Sequence, residues 1–228
     1  MGKERTVVLL SGGIDSTTTL AIALSEGYEC FALTFEYGQR HSKEIESAKR
    51  VAEHYSVPLK ILKIDLTQIG GSALTDESIE VPMLRSMEEM TREIPATYVP
   101  ARNTILLSFA LAYAELIHAR AIFIGANAID YSGYPDCRPE YFKAFQDVAR
   151  LGTKSGAEGE GIEIKYPLIS MSKKEIIERG RELGVPFHLT WSCYLGKERA
   201  CGKCDSCLLR LKGFRDAGLK DPLEYERD

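Results

Sequence analysis

The sequence predicts an α/β protein with a doubly wound, mostly parallel sheet and a small C-terminal zinc-binding lobe. Short apolar runs alternate with segments of helical periodicity, a strand–Gly-Gly–helix unit lies near the N-terminus, and four cysteines cluster near the C-terminus. Alternating strands and helices produce parallel sheets, because right-handed crossovers place helices on both faces. For 228 residues we expect one main domain, residues 1–187, and a lobe of residues 188–228.

Three apolar runs predict the first strands, at residues 7–10, 30–35 and 59–64. The segment between the first two, residues 16–26, is compatible with a helix, and Gly27 is a typical residue for its end. The chain therefore begins with a strand, a Gly-Gly loop and a helix.

A second helix is predicted over residues 45–55, where apolar residues recur at helical spacing behind Ser42, a residue type that caps helices. Residues 66–101 show no sheet-forming pattern, although residues 83–92 are compatible with a short helix. Loops of this length are usually functional or mobile.

The alternation then resumes with a predicted helix at residues 103–118 and a strand at residues 121–125. Residues 152–161 are too rich in glycine to predict a fixed element, and we interpret them as a lid or a plain surface loop. A capping box at residues 172–175 predicts a helix that Gly184 ends.

Residues 11–16 form a phosphate-binding loop in this interpretation. The helix start behind a strand and two glycines presents backbone N–H groups and a positive dipole end to an anion. Ser11, Ser16 and Thr17 add hydroxyl donors, and Asp15 is suited to hold magnesium. The P-loop pattern G-x-x-x-x-G-K-[ST] and a G-x-G-x-x-G after a strand are both absent. The alternative is a tight turn with helix-capping serines.

Four cysteines lie within fifteen residues, and their spacing suits metal ligation better than a disulfide framework. Four thiolates match tetrahedral zinc in a closed, structural site, with one zinc per chain. An iron–sulfur cluster is the rival interpretation, but the Cys-Pro that completes the bacterial ferredoxin pattern is missing; unligated thiols are a third. The candidate ligands are Cys193, Cys201, Cys204 and Cys207.

Two further segments predict substrate contacts at the carboxyl edge of the sheet, because each follows a predicted strand. Residues 36–41 carry an aromatic and several hydrogen-bonding groups, and residues 126–138 combine acids, tyrosines and an arginine suited to a guanine-like ring. Arg102, at a predicted helix start, is suited to neutralise a carboxylate or phosphate. Read singly, each is also compatible with an ordinary turn, or with an Asn103 cap beside a solvated arginine.

The net charge of −4 lacks the basic excess of proteins that bind a phosphate backbone, so we expect no direct nucleic-acid partner. We find no segment long enough to span a membrane and no signal-peptide pattern, and therefore expect a reduced, cytoplasmic protein.

The SGGIDS string resembles the mark of the PP-loop ATP pyrophosphatases, which have an adenine nucleotide alpha hydrolase-like fold and transfer AMP to an oxygen of their substrate. Further strings, in the same order along the chain, resemble the 7-cyano-7-deazaguanine synthase family of queuosine biosynthesis. They are SGGIDSTT (11–18), YGQRH (37–41), VPARN (99–103), DYSGYPDCRPEYF (130–142), TWSCY (190–194) and CGKCDSC (201–207).

This resemblance implies a homodimeric ligase that converts 7-carboxy-7-deazaguanine, ammonia and ATP to the nitrile, with adenylylation first of the carboxylate and then of the amide. We expect catalytic roles for Asp15, Ser16 and Arg102. The expected ATP-binding residues are Leu9, Leu10, Ser11, Gly12, Gly13, Ile14, Asp15, Ser16, Thr17 and Thr18. The expected substrate-binding residues are Tyr37, Gln39, Arg40, Asn103, Asp130, Tyr131, Ser132, Tyr134, Asp136 and Arg138.

Two other functions compete with this one. A tRNA thiolase of the same superfamily needs a reactive cysteine outside the cluster, where Cys30 and Cys137 are the candidates. A non-catalytic nucleotide-binding or zinc-dependent interaction module would bind ATP without turnover, which the complete loop with Asp15 argues against.

Overall fold

A parallel sheet forms the centre of the molecule. The computed structural model describes residues 2–129 and 134–226. Within these residues five strands pair in the order β3–β2–β1–β4–β5, and every pairing is parallel, which confirms the predicted fold class. The strands are β1 (Arg5–Leu9), β2 (Glu29–Glu36), β3 (Leu59–Lys63), β4 (Ala121–Phe123) and β5 (Glu163–Lys165).

Helices cover both faces of this sheet. They are α1 (Ile14–Ser25), α2 (Lys43–His54), α3 (Met87–Arg92), α4 (Arg102–Leu116), α5 (Pro139–Gly152), α6 (Lys154–Ala157), α7 (Lys173–Glu182) and α8 (Asp205–Asp216). Among the described residues, no helix is long and apolar enough to cross a membrane.

Alternate side chains of the buried strands supply the two layers of the core. Val7 and Leu9 pack with residues of α4 and α5 on one face, whereas Val8 packs with residues of α1, α2, α7 and α8 on the other. This follows from the strand period of two, which sends successive side chains to opposite faces. Because both faces are buried, β1 consists almost entirely of apolar residues after Arg5.

The N-caps of α7 and α2 lie where the sequence predicts them, but only Ser172 of α7 caps the helix backbone. At α7 both bonds of the predicted capping box are present: Glu175 N donates to Ser172 Oγ at 3.4 Å, and Ser172 N donates to Glu175 Oε2 at 2.7 Å. At α2 the N-cap is Ser42 as expected, but its hydroxyl donates to the Glu46 carboxylate at 3.2 Å instead of capping the backbone.

The interpretation of residues 152–161 as a segment without a fixed element is wrong. The Thr153 hydroxyl accepts a bond from Gly156 N at 3.0 Å and donates to Ala149 O at 2.7 Å, so that α6 follows α5 directly. A Cβ on Gly156 would lie 2.2 Å from Arg150 O. This glycine therefore permits close packing of the backbone rather than mobility. Sequence reasoning also missed α5, α8 and the three-residue strand β5.

A buried ion pair joins α8 to the C-terminal segment. Arg210 Nε and Nη2 donate to the two Asp221 carboxylate oxygens at 2.8 and 2.9 Å, with both side chains almost fully buried. The remaining Arg210 donors reach Thr190 Oγ1 at 2.9 Å and Phe187 O at 3.3 Å. Each charge thus has the partners that a buried ion pair requires.

The strand order places a crevice at the carboxyl ends of β1 and β4. The chain runs from β1 outward to β2 and β3, and then returns to the opposite side of β1 to form β4. Connections leave the sheet in opposite directions at this point, and ligands of doubly wound sheets bind in the crevice so formed. The loop after β1 lies there.

Candidate functional site

The predicted phosphate loop joins β1 to α1 through a turn that only glycine can occupy. Gly12 has a φ of +82°, and a Cβ there would lie 2.5 Å from Ala48 N and 2.6 Å from Glu44 O of α2. The Gly12 carbonyl accepts bonds from Ser47 Oγ at 3.0 Å and from Trp191 N at 2.9 Å. The loop is therefore held rigidly between α2 and the C-terminal part of the chain.

The loop presents its donors to a cavity above the sheet. Ser11 Oγ and Ser16 Oγ lie 3.0 Å apart, and Ser11 N donates to Ser16 Oγ at 3.2 Å. The N-cap of α1, Gly13, offers no capping side chain, and the first N–H groups of a helix have no intrahelical partner. This arrangement of backbone donors, hydroxyls and helix dipole suits a bound phosphate chain.

A lysine that sequence reasoning missed lies beside the loop. Lys173 Nζ donates to both carboxylate oxygens of Asp15 at 2.7 Å, and its side chain is only 10% exposed. Lys173 is the first residue of α7, where the helix dipole disfavours a cation. A cation at this unfavourable position, directly after the capping Ser172, is the signal in the sequence that could have indicated a functional role for Lys173.

Arg102 enters the cavity from a strained helix start. Ala101 has a left-handed φ of 51°, which places Arg102 at the first position of α4. Arg102 Nη1 donates to the Tyr37 hydroxyl at 3.3 Å, and the guanidinium carbon lies 5.9 Å from the Tyr37 ring centroid. Burial raises the pKa of Tyr37, so the hydroxyl stays protonated beside this cation.

The residues after β4 stabilise the start of α4. Asn103 N donates to Asp136 Oδ2 at 2.9 Å, and Asn103 Nδ2 donates to Asp136 O at 3.0 Å and to Cys137 Sγ at 3.3 Å. The Asp136 carboxylate thus serves as an N-terminal partner of the helix. Tyr134 continues this wall of the cavity, with its hydroxyl 3.0 Å from Thr97 Oγ1 and its ring 5.6 Å from that of Tyr98.

The structure brings most of the predicted site residues together. The predicted residues that line the cavity are Leu9, Leu10, Ser11, Gly13, Ile14, Asp15, Ser16, Tyr37, Gln39, Arg102, Asn103 and Tyr134. Other predicted residues are not among those lining it: Gly12, Thr17, Thr18, Arg40, Asp136 and Arg138. Asp130, Tyr131 and Ser132 lie outside the described residues.

Gln39 and Arg40 of the predicted substrate segment 36–41 form hydrogen bonds with other groups of the protein. The Gln39 amide closes its own turn, accepting from Tyr37 N at 2.7 Å and donating to Phe35 O at 3.1 Å. The Arg40 guanidinium donates to backbone carbonyls of the segment that follows β3, namely those of Ala73, Asp76 and Ile79. Arg40 therefore organises that segment.

Glu44 is a second residue that sequence reasoning missed. It lies in the first turn of α2, lines the cavity and is half-buried. Burial raises the pKa of this carboxyl, while the charges of His41 and Arg102 act in the opposite direction. Tyr134, Trp191 and Tyr194 provide aromatic surface in the same cavity.

The four predicted cysteine ligands come together in a buried cluster. Their Sγ atoms all lie within 4.8 Å of one another, and Cys201 Sγ is 3.9 Å from Cys207 Sγ. Backbone N–H groups point at two of the sulfurs. Leu195 N and Cys201 N lie 3.4 and 3.3 Å from Cys193 Sγ, and Cys204 N lies 3.3 Å from Cys201 Sγ. Such donors stabilise thiolates, so the donor set fits a metal ion.

Solved structures with related architectures support the fold. A 4-thiouridine synthetase in complex with RNA and with bound ATP aligns with a TM-score of 0.52 and 22% identity, over 80% of this chain and 41% of that one. An NMN synthetase from Francisella tularensis aligns with a TM-score of 0.50 and 15% identity, over 96% of this chain and 78% of that one. At these identities the similarity concerns the fold alone.

Sequence relatives are much closer. The 7-cyano-7-deazaguanine synthase of Thermoplasma acidophilum is 60% identical over 227 residues, covering 100% of this chain and 94% of the relative. The synthase of the same name from Nostoc punctiforme is 57% identical over 222 residues, covering 97% of this chain and 99% of the relative. The family described as queuosine biosynthesis protein QueC matches residues 5–218. The chain therefore belongs to the QueC family.

Proposed function

We propose that this chain is an ATP-dependent ligase that converts 7-carboxy-7-deazaguanine and ammonia to 7-cyano-7-deazaguanine in queuosine biosynthesis. Its relatives with this name match it over nearly their whole length. The structural observation that best supports this function is the phosphate loop at the start of α1. It lines one cavity together with two cations, Lys173 and Arg102. A phosphate chain and a carboxylate both find donors there.

The phosphate loop and its neighbours activate ATP. Backbone N–H groups and the Ser11 and Ser16 hydroxyls bind the triphosphate, and Lys173 stabilises the charge that develops as pyrophosphate leaves. Magnesium bound at Asp15 would add Lewis-acid stabilisation of the phosphates. The bond between the α-phosphorus and the bridging oxygen breaks while an oxygen of the substrate binds the α-phosphorus.

The acid substrate occupies the part of the cavity near Arg102. The guanidinium, held by the Tyr37 hydroxyl, pairs with the reacting carboxylate and aims its oxygen at the α-phosphate. Tyr134 and the neighbouring aromatic residues stack on the deazapurine ring. Two other predicted substrate residues have structural roles instead. Asp136 binds the start of α4, and Arg40 binds the segment after β3.

Two adenylylations occur in this one cavity. The first gives the acyl-adenylate, which ammonia converts to the amide with release of AMP. The second transfers AMP to the amide oxygen, and loss of that AMP with two protons from nitrogen leaves the nitrile. Each step uses the same donors, because each develops charge at an α-phosphate and a substrate oxygen. No covalent bond to the enzyme is required.

A structural zinc ion, one per chain, binds the four clustered cysteines in this proposal. The four thiolates would fill every position of a tetrahedral zinc site, which leaves none for a catalytic water. These ligands belong to a separate core of buried residues that includes Trp191, Val81 and Ala200. We infer a division of the chain near residue 187 into an ATP-binding domain and a zinc-binding lobe, in which Val81 and Ala73 of the first domain complete the core of the lobe. The reduced thiols suit a cytoplasmic protein.

The thiolase alternative lacks a reactive thiol among its candidates. Burial raises the pKa of Cys30 to about 12, and burial together with the Asp136 charge raises that of Cys137 to about 12. Neither forms an appreciable amount of thiolate at neutral pH, whereas sulfur transfer needs the thiolate.

A homodimer is part of the proposal, and the face formed by α4 and α5 supports it. Phe109, Leu116, Val148 and Leu151 are exposed there, at 41%, 69%, 51% and 70%. The end of α4 contacts α6, the short helix that directly follows α5, because Ser155 N donates to Glu115 Oε1 at 3.1 Å. Exposed apolar side chains mark protein interfaces where they form a continuous patch, which we propose for these four.

The function is tested by incubating the purified protein with ATP, magnesium, ammonium and 7-carboxy-7-deazaguanine, and following products by mass spectrometry. We expect the nitrile together with AMP, two for each nitrile. Acid-dependent AMP formation that stops at the amide would contradict the second adenylylation. A complete lack of acid-dependent ATP cleavage would contradict the ligase function and favour a non-catalytic nucleotide-binding module.

Replacement of Lys173 by Met removes the cation beside the phosphate loop. We expect acid-dependent AMP formation to fall by about 10²–10³-fold, the usual effect of losing one electrostatic donor at a developing charge. Steady-state release of pyrophosphate measures it. Lys174→Met is the matched control, because that neighbouring side chain is exposed and pairs with Glu178, and its rate should stay near that of the unchanged protein. Equal losses in both variants would contradict the role of Lys173.

Replacement of Cys204 by Ser removes one of the four metal ligands. Elemental analysis of the unchanged protein is expected to find one zinc per chain, and the variant is expected to lose it and to melt at a lower temperature, because metal binding and folding of the lobe are coupled. The control Cys30→Ala keeps its zinc, since Cys30 lies in β2, remote from the cluster in sequence. Iron in place of zinc would contradict the structural-zinc proposal.

Replacement of Leu116 by Asp puts a charge on the apolar face of α4. In sedimentation velocity we expect the unchanged protein to be a dimer and this variant to be a monomer, because an unpaired charge opposes burial in an apolar interface. Ile69→Asp alters an equally exposed apolar residue elsewhere and should leave the dimer intact. A dimer that survives Leu116→Asp would place the interface on another face.

A further inference from the structure

Ammonia addition and nitrile formation both release protons from nitrogen, and a group in the cavity must accept them. We propose that Glu44 is this proton acceptor in both nitrogen steps. The proposal deepens the ligase function above and rests on it. It assigns a catalytic role to a side chain that was not among the predicted site residues.

The carboxylate inventory of the cavity singles out Glu44. Among the described residues that line the cavity, the carboxylates are those of Asp15 and Glu44. Asp15 is held by Lys173 at 2.7 Å on both oxygens, next to the phosphate loop. Its charge is thus committed to the phosphate end, which leaves Glu44 as the carboxylate available elsewhere in the cavity.

Glu44 lines the same cavity as Tyr37 and Arg102. Both Glu44 and Arg102 act electrostatically on Tyr37, and the Arg102 guanidinium donates to the Tyr37 hydroxyl. Arg102 is the cation to which we assign the substrate carboxylate. We therefore assign the Glu44 carboxylate to the carbon that becomes first an amide and then a nitrile.

The backbone holds Glu44 in this place. A Cβ on Gly12 would lie only 2.6 Å from the Glu44 carbonyl oxygen. The first turn of α2 therefore packs directly on the phosphate loop. The Ser47 hydroxyl, one turn further along α2, donates to Gly12 O at 3.0 Å. The Glu44 backbone is thus held at a fixed position relative to the phosphate loop, which favours the positioning that catalysis requires.

The charge environment suits proton transfer. The charged or titratable groups that act on Glu44 are His41 before α2, Arg102 of α4 and Cys193 of the cysteine cluster, and Tyr37 after β2 feels its charge. Burial raises the pKa of Glu44 from the ordinary carboxyl value, and a carboxylate with a higher pKa is a stronger base.

Glu44 accepts one proton in the first nitrogen step and two in the second. In the first, a carbon–nitrogen bond forms, the carbon–oxygen bond to AMP breaks, and the attacking ammonia gives one proton to Glu44. In the second, the adenylylated amide loses AMP by carbon–oxygen cleavage, and its nitrogen releases two protons as the triple bond forms. Glu44 accepts these protons one at a time and returns each to solvent between transfers.

His41 offers the path for that return. It lines a second cavity with Glu36 and Asp65, and this cavity shares the side chains of Gln39 and Ile45 with the first. The buried Nδ1 atom of His41 has no hydrogen-bond partner among the described residues. A proton shuttle between Glu44 and the second cavity would use such an imidazole.

The test separates adenylylation from the nitrogen steps. Exchange of labelled pyrophosphate into ATP, measured with the acid and without ammonium, reports adenylylation alone, whereas nitrile formation reports the whole sequence. For Glu44→Gln we expect nitrile formation to fall about 100-fold or more, with exchange within about threefold of the unchanged protein. Retained exchange also shows that the variant is folded. Glu46→Gln, an exposed acid in the same turn of α2, should leave both rates nearly unchanged.

A second variant tests the carboxylate itself. Formate added to Glu44→Ala is expected to restore nitrile formation about tenfold, because it supplies the missing base. Nitrile formation by Glu44→Gln within threefold of the unchanged rate would overturn the proposal. An equal fall of exchange and nitrile formation, without rescue by formate, would also overturn it and assign Glu44 to substrate binding. Absence of acid-dependent exchange in the unchanged protein would instead contradict the ligase function itself.

Discussion

Close backbone packing around the loop between β1 and α1 is the constraint on which the rest of the structure depends. A Cβ on Gly12 would meet α2 at 2.5 Å, and a Cβ on Gly125, just beyond β4, would lie 2.9 Å from Asp15 C and Ser16 N. Two strands and two helices therefore meet with no room for a side chain between them. This contact aligns the start of α1 with the crevice where the strand order reverses, and it brings α2 to the same cavity.

The site concentrates charges in places that local helix physics disfavours. Lys173 and Arg102 are the first residues of α7 and α4, where a cation opposes the helix dipole by roughly 0.3–1 kcal/mol. Ala101 adds a left-handed backbone conformation at the second of these starts. Partners offset the cost: Asp15 holds Lys173, and Tyr37 holds Arg102. Violations of local preference that are supported from elsewhere are characteristic of functional sites.

The cysteine cluster is connected to this site through the backbone. Trp191 N donates to Gly12 O, and the Trp191 ring packs in the core that contains the four cysteines. The segment between β3 and α4 is attached to the same region, since Arg85 pairs with Asp205 and Leu84 N donates to Lys203 O. Folding of the cysteine cluster therefore supports both the phosphate loop and this long segment. A metal there would act on the chemistry through structure.

The sequence by itself determined the first four strands, the phosphate loop and the cysteine cluster, because strand periodicity, glycine conformation and ligand spacing are local properties. Local patterns could not reveal β5, which is three residues long, or the role of Gly156, which depends on the turn that packs it against the end of α5. Only the tertiary structure decided which polar side chains share the cavity. Lys173 lies 158 residues from Asp15, and Arg40 of a candidate string instead binds backbone carbonyls. Contacts between remote segments are set by packing, which no local pattern encodes.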